Sequence, residues 1–300
     1  MPRIALFSIE CAQLGDALTE IIERHRDEIT VVVTSDVQST ARGGPIKQAA
    51  KNLRRSGPGF VKYLIYSFML YPAVLAVDRA ISPLRGGRRT RRSVRELCDA
   101  HGITHIRTGN VNSPEMVEAL EAEELDFIVI YWFDQIIRQR VIALPSRGVI
   151  NVHAALLPNC RGLFPTLFSA VEAGTPFGIS AHVIDSEEID AGPILAQRIA
   201  KPPPGRSVLF NDSWVNRVGV GMLDEVLSDF DALRGRARPQ GEGSYYSFPD
   251  RRQLGLARRL GLRMAPLRDL VAVVRGTGAK DADALPPIRD LGAGEGMAPG

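Results

Sequence analysis

Arg3-Ile-Ala-Leu-Phe-Ser-Ile9, then Leu14, Leu18, Ile21 and Ile22, then Ile29-Thr-Val-Val-Val-Thr34 are the residues on which the fold is read. The first run is short and apolar, as a buried strand requires. The four apolar residues after it recur at helical spacing, and the second run is rich in β-branched side chains. Strand, helix, strand in that order predicts a βαβ unit, and hence a parallel sheet with helices on its faces. The alternation resumes further along, with a helix near 91–101, a strand near 103–107 and a helix from Ser113. Ser113-Pro114-Glu115 supplies a capping hydroxyl and a proline at the first helical position. Asp126-Phe-Ile-Val-Ile-Tyr131 and Gly148-Val-Ile-Asn-Val-His153 read as strands, with a short helix over 136–142 between them. A helix over 165–173, strands over 178–184 and 194–199, and a long amphipathic helix over 207–230 complete the pattern.

Between the second and third strands the rhythm breaks. Residues 40–45 read as loop. Phe60 to Val77 is apolar apart from Lys62, Tyr63, Tyr66, Ser67 and Tyr71, and Pro72 interrupts it, so it reads as one buried or interfacial helix rather than a membrane span. Arg79, Arg85, Arg88, Arg89, Arg91, Arg92 and Arg95 follow. The expected organisation is a catalytic domain over 1–230 with a helical insertion at about 40–95, a C-terminal extension over 231–275, and a flexible Gly- and Pro-rich tail over 276–300.

Composition sets outer limits. Hydrophobic residues are 45% and charged residues 24%, which fits a globular chain and excludes a mainly disordered, collagenous or mucin-like one. A formal net charge of +3 does not by itself point to nucleic acid. Cys11, Cys98 and Cys160 are odd in number and far apart, so neither a disulfide framework nor a zinc pattern is present. With no export signal at the start of the given sequence, a cytoplasmic location is expected. No His-Glu-x-x-His or similar ligand spacing occurs, and no metal is expected.

Asn151 and His153 lie two apart on one strand and so point to the same side, at a strand end running into a loop. In open α/β sheets, sites lie at such carboxyl ends. Asp190 sits in a turn-prone loop after the strand that carries His182. An amide, an imidazole and a carboxylate together can run acyl transfer to an amine. The imidazole relays a proton or donates to the developing oxyanion, the amide donates to the same oxygen, and the carboxylate orients the ring or takes the amine's proton. The amine itself attacks, so no nucleophilic Ser or Cys is needed.

Asn151-Val-His-Ala-Ala-Leu-Leu-Pro158, Arg161-Gly162, Gly178-Ile-Ser-Ala-His182 and Ile189-Asp-Ala-Gly192 occur in this order, and over roughly residues 100–230 they resemble the signature of the folate-dependent formyltransferases. The resemblance implies an α/β fold with a Rossmann-like, mostly parallel sheet of the formyltransferase type. It implies an Asn151, His153, Asp190 catalytic set and 10-formyltetrahydrofolate as formyl donor. It further implies a donor pocket along Phe133, Gln135, Ile136, Ile137, Ile184, Glu188 and Ile189. His182, Arg161 and Gly162 are expected near substrate or behind the catalytic groups, Arg161 more as a loop holder than as a substrate ligand. Ala155 stands where the family often has Ser, and Ala191 where it usually has Thr.

Family members differ in the amine they formylate. The Gly-Asn-Gly-Ser-Asn phosphate loop of glycinamide ribonucleotide formyltransferases is replaced here by Ser8-Ile-Glu-Cys-Ala-Gln-Leu-Gly15, which excludes that acceptor. A small biosynthetic amine, such as an amino sugar, is the expected partner. The alternatives are charged initiator tRNA, as in methionyl-tRNA formyltransferases, and an inactive folate-binding module. The 60–95 segment is read as a covering or homodimer-forming insertion, with membrane-surface contact as the sharper reading.

Overall fold

The computed structural model describes residues 1–36, 44–87 and 89–276. Its elements run β1 (Ile4–Ser8), α1 (Gly15–Arg24), β2 (Ile29–Ser35), α2 (Gly44–Ser56), α3 (Pro58–Leu64), a π turn (Ile65–Met69), α4 (Tyr71–Ile81), a 3-10 turn (Ser82–Arg85), α5 (Val94–His101), β3 (Thr104–Thr108), α6 (Pro114–Glu121) and β4 (Phe127–Tyr131). They continue with α7 (Gln139–Ile142), β5 (Gly148–His153), β6 (Arg161–Gly162), α8 (Pro165–Phe168) running into a π turn (Ser169–Ala173), β7 (Gly178–Ile184), β8 (Ile194–Ile199), α9 (Val208–Ser228), α10 (Phe230–Gly235), β9 (Tyr245–Tyr246), α11 (Arg251–Arg259) and α12 (Leu267–Arg275).

Seven strands form one sheet in the order β3-β2-β1-β4-β5-β7-β8. The first four pairings are parallel, and β5–β7 and β7–β8 are antiparallel. Because side chains alternate along a strand, the sheet separates two cores. Ile4, Leu6, Phe127, Val129, Ile150 and Val152 pack with α1 and α9 on one face, and Ala5, Phe7, Ile128, Ile130 and Val149 pack with α6 and α7 on the other. Asn151 and His153 alternate with Ile150 and Val152, so they share the face of Val149. Strand order reverses between β1 and β4, and the crevice beyond the carboxyl ends there is where such sheets place their sites.

The segment expected as one helix over 60–77 is instead broken into α3, the π turn and α4. The two halves, Pro58–Met69 and Tyr71–Arg85, are bent by 41°. Pro72, which has no N–H, sits in the first turn of the second half, where a missing donor costs nothing. Inward-facing Phe60, Tyr63, Ser67, Tyr71 and Leu75 are buried. Ser67 ties the insertion to the body: Gln13 donates to its hydroxyl at 2.6 Å and Ala12 N–H to its carbonyl at 3.0 Å.

Residues 231–275, which give few strand signals, are mainly helical. Arg91, buried, donates to the carbonyls of Val273 (2.7 Å) and Val274 (2.8 Å) and pairs with Asp16. Asp269, fully buried, accepts from Ser207 N–H and from Arg206. The first N–H groups of α9 find acceptors in the carbonyls of Arg263 and Met264, so this segment closes a helix start that would otherwise lack partners. Of the loop expected at 40–45, residues 40–43 lie outside the described residues, as does the tail beyond Gly276.

Candidate active site

β5 delivers Asn151 and His153 to the crevice, and β7, antiparallel beside it, pairs His182 directly opposite Asn151. The loop between β7 and β8 returns Asp190 to the same point. Asn151 Nδ2 donates to Asp190 Oδ1 at 2.8 Å and to His182 Nε2 at 3.0 Å. His182 uses its other nitrogen, Nδ1–H, on the carbonyl of Val183 (3.0 Å), which makes Nε2 an acceptor. His153 Nε2–H donates to the carbonyl of Cys160 (2.8 Å), and its Nδ1 lies 3.5 Å from Asp190 Oδ2. Gly162 N–H donates to the same carboxylate oxygen at 2.8 Å.

Four polar groups from distant segments thus meet in a buried site. Asn151, His153 and Asp190 are each buried and His182 is fully so. Burial would raise the Asp190 carboxyl, but His153 beside it and the N–H of Gly162 hold it well below the usual carboxylate range. The Asp190 carboxylate thus faces the imidazole of His153 with its ionised form favoured. Both amide hydrogens of Asn151 are engaged. To donate to a carbonyl oxygen in the cavity it must release one of them, which qualifies the simple oxyanion-donor role expected from sequence.

A cavity of about 160 Å³ opens on this cluster. Phe133, Gln135, Ile136, Ile137, Ile184, Glu188 and Ile189 line it together with Asn151, His153, Gly162 and Asp190. Gln135 also has an architectural task. It donates to Ser35 Oγ and the carbonyl of Thr108, and accepts from Val111 N–H. Arg161 turns away from the cavity, to Gln240 Oε1 and the carbonyl of Gly241. Burial pushes the Cys160 thiol up to about 11, which leaves it a poor nucleophile. Among the described residues no group of three His, Cys, Asp or Glu side chains is arranged to hold a metal ion.

The backbone is strained here. Trp132, Cys160, Phe164 and Asp190 all have positive φ, between 51° and 60°, although none is glycine. All four line the cavity or belong to the loops that carry its residues. Such conformations cost about 1–3 kcal/mol each and persist where surrounding structure imposes them.

The family profile described as formyl transferase matches residues 84–203, the stretch that holds Asn151, His153, Gly162, His182 and Asp190. Over this stretch the chain is similar to the formyltransferase family. A methionyl-tRNA formyltransferase from Trichlorobacter lovleyi is 31% identical over 150 residues, 50% of this chain and 46% of the relative. Another from Chloroflexus aggregans is 32% identical over 156 residues, 52% of this chain and 50% of the relative. The chain spans about half the length of the curated relatives it matches. Among solved structures, a glycinamide ribonucleotide transformylase 1 from Symbiobacterium toebii superposes with a TM-score of 0.51 at 16% identity, over 80% of this chain and 95% of that one. A sugar N-formyltransferase from Shewanella sp FDAARGOS_354 gives 0.50 at 19% identity, over 91% and 87%. These likenesses show the fold, the mostly parallel α/β sheet expected.

Around this site the structure gives roles to residues for which the sequence reading assigned none. Gln240 donates to the carbonyls of Asp190 (2.9 Å) and Gly192 (2.7 Å) while accepting from Arg161, so one carboxamide clamps both site loops. Tyr245-Tyr246 pairs as β9 with β6, Arg161-Gly162, and Tyr245 lines the cavity. Ser180 Oγ donates to the carbonyl of Ala155, accepts from Leu157 N–H and accepts from Gln197 Nε2, fixing the loop after His153. Gln240 sits in an irregular stretch with no periodicity to read.

Proposed function

We propose that the chain transfers a formyl group from 10-formyltetrahydrofolate to the primary amine of a small biosynthetic molecule, with an amino sugar as the favoured class. The observation that carries this reading is the meeting of Asn151, His153 and Asp190 at the end of β5 beside an apolar-walled cavity. Phe133, Ile136, Ile137, Ile184 and Ile189 offer the apolar surface that a flat heteroaromatic ring such as a pterin requires. When bound, the donor supplies an electrophilic formyl carbon.

The residues of the chain do the rest. Asp190, ionised and dry, holds His153 and favours the positive charge the ring gains when it takes a proton from the attacking amine. His153, once its Nε2–H leaves the Cys160 carbonyl, and a reoriented Asn151 donate to the oxygen that gains charge at the formyl carbon. A new C–N bond forms to the amine, the old C–N bond breaks, and the proton taken from the amine returns to the departing nitrogen. The loop at 8–15 gives no phosphate cradle. Glu10 there accepts from Val94 N–H at 2.7 Å, which supports an acceptor other than a phosphoribosyl amine.

The second reading, formylation of charged initiator tRNA, is favoured by the names of the curated relatives. Incubation with 10-formyltetrahydrofolate and a panel of amino sugars, and separately with charged initiator tRNA, decides between them. A mass gain of one formyl group on an amino sugar with release of tetrahydrofolate is the expected result. Efficient formylation of the tRNA alone supports the second reading. Folate binding with no turnover on any amine points to a binding module.

A further inference from the structure

The helical insertion has an outward face with no counterpart among the described residues. Along it Met69, Leu70, Pro72, Ala73, Ala76, Val77, Ala80, Pro83 and Leu84 are exposed. Four of these are large and well uncovered: Met69 at 58%, Leu70 at 37%, Val77 at 59% and Leu84 at 88%. The spacing follows the turns of α4, so they form one apolar stripe rather than scattered single residues.

The charge around this stripe is lopsided. Residues 37–95 contain thirteen Lys and Arg and a single acidic residue, Asp78, in a chain whose total is only +3. Some of these cations serve the fold. Arg89 bridges Asp78 and Glu96, and Arg91 is buried against α12. Lys47, Lys51, Arg54, Lys62 and Arg92 are exposed, and Arg79 and Arg85 remain well exposed beside their acidic partners. A cavity of about 290 Å³ between α3 and the C-terminal helices repeats the chemistry. Lys62, Arg258 and Arg263 sit over Phe60, Leu254, Leu262 and Met264, and no carboxylate lines it.

We propose that this insertion docks the protein on an anionic lipid surface, with the outer face of α4 in the headgroup layer and the cations on lipid phosphates. An apolar helical stripe with a basic surround is what such a surface satisfies. The segment does not cross the bilayer. It is bent by 41°, and its other face buries Phe60, Tyr63, Tyr71 and Leu75 in the protein. A twofold pair through the same face would bring two strongly positive surfaces together, which disfavours a second copy. A nucleic acid would match the charge but leave the apolar stripe in water.

Co-sedimentation with vesicles tests this on the full chain. Phosphatidylcholine vesicles doped with phosphatidylglycerol should pellet the protein, pure phosphatidylcholine much less, and salt should weaken the binding. Val77→Asp with Leu84→Asp should reduce the pelleted fraction about fivefold or more, and Lys62→Glu with Arg258→Glu should remove the preference for anionic vesicles. All four side chains are exposed, so the variants should keep the wild-type melting temperature. No co-sedimentation with anionic vesicles overturns the proposal. So does a homodimer in sedimentation velocity that Val77→Asp dissolves, or RNA retention that the apolar variant leaves intact while lipid binding is absent.

Discussion

Asn151 gives one amide hydrogen to Asp190 Oδ1 at 2.8 Å, joining the end of β5 to the loop between β7 and β8. Its other hydrogen goes to His182 Nε2. Asn151→Ala should cut turnover by about a hundredfold, as loss of an oxyanion donor does, while folate binding persists. Asn151→Asp should act differently. A second carboxylate beside Asp190 raises one of the two carboxyl pKa values, so the acid limb of the kcat/KM profile should move to higher pH. Coincident acid limbs in the two proteins would separate Asn151 from Asp190 in catalysis.

His153 and Asp190 are expected to act as one unit. Asp190→Asn and His153→Ala should each lower turnover by about a hundredfold or more, and the double variant should be scarcely worse than either single one. Additive losses, measured by steady-state release of tetrahydrofolate, would mean independent roles. Because Asp190 is held ionised well below the usual carboxylate range, the stability from its pairing is present above the ordinary Asp range. It is lost only as pH falls through the lowered folded value. Wild-type activity should therefore have no Asp190-dependent loss between neutral pH and about pH 5.

Gly162 has φ of +94°, and a Cβ there would lie 2.2 Å from the carbonyl oxygen of Tyr246. Gly162→Ala should therefore part β6 from β9, weaken the Gly162 N–H bond to Asp190, and cost about 1–3 kcal/mol of stability with a matching loss of activity. Gly255, inside α11, has nothing within 4 Å of its would-be Cβ and an ordinary φ. Gly255→Ala should instead raise the melting temperature, by about 0.4–1 kcal/mol in stability, and leave turnover unchanged. Thermal melts of the two variants in one buffer check both signs.

The sheet was legible because its strands are short apolar runs bounded by turn residues, and a buried strand leaves little other choice of side chain. Asn151 and His153 were legible for the opposite reason: polar residues at alternate positions of an otherwise apolar strand need an explanation. The break at 65–71 was harder to read. The apolar run continues through it, and the helix changes pitch to keep Tyr63, Ser67 and Tyr71 facing inward. The helical extension was hidden because α11 and α12 are short and rich in Arg. Their order comes from long-range bonds such as Arg91 to Val273, which no local pattern encodes.

Gln240 bridges Arg161 and the Asp190 loop without lining the cavity. Gln240→Ala should loosen both loops and lower kcat about tenfold, with a smaller change in the dissociation constant for a folate analogue. Gln240→Glu keeps the acceptor for Arg161 but loses the donor to the carbonyls of Asp190 and Gly192, and it sets a carboxylate against them. It should be no better than Ala. Recovery of activity in Gln240→Glu would place the role of Gln240 in holding Arg161 alone.

Asp212, beneath the insertion, contributes to the pH dependence of stability. Its carboxyl is buried, with the Tyr63 hydroxyl donating to Oδ2 at 2.6 Å, and burial pushes its pKa up to about 6 from an ordinary 3.8, the Tyr63 bond opposing. Below pH 4 it is protonated in both the folded and unfolded chain. Between about pH 4 and 6 the unfolded chain releases the proton and the folded chain keeps it, so stability falls as pH rises, by roughly 2–3 kcal/mol in all. Above pH 6 the loss is complete and constant. Asp212→Asn removes this titration and keeps an acceptor for Tyr63. The variant should match or trail the wild type near pH 4 and melt higher than it at pH 8. A wild-type advantage at pH 8 that equals the one at pH 4 would show that the Asp212 carboxyl titrates alike in both states.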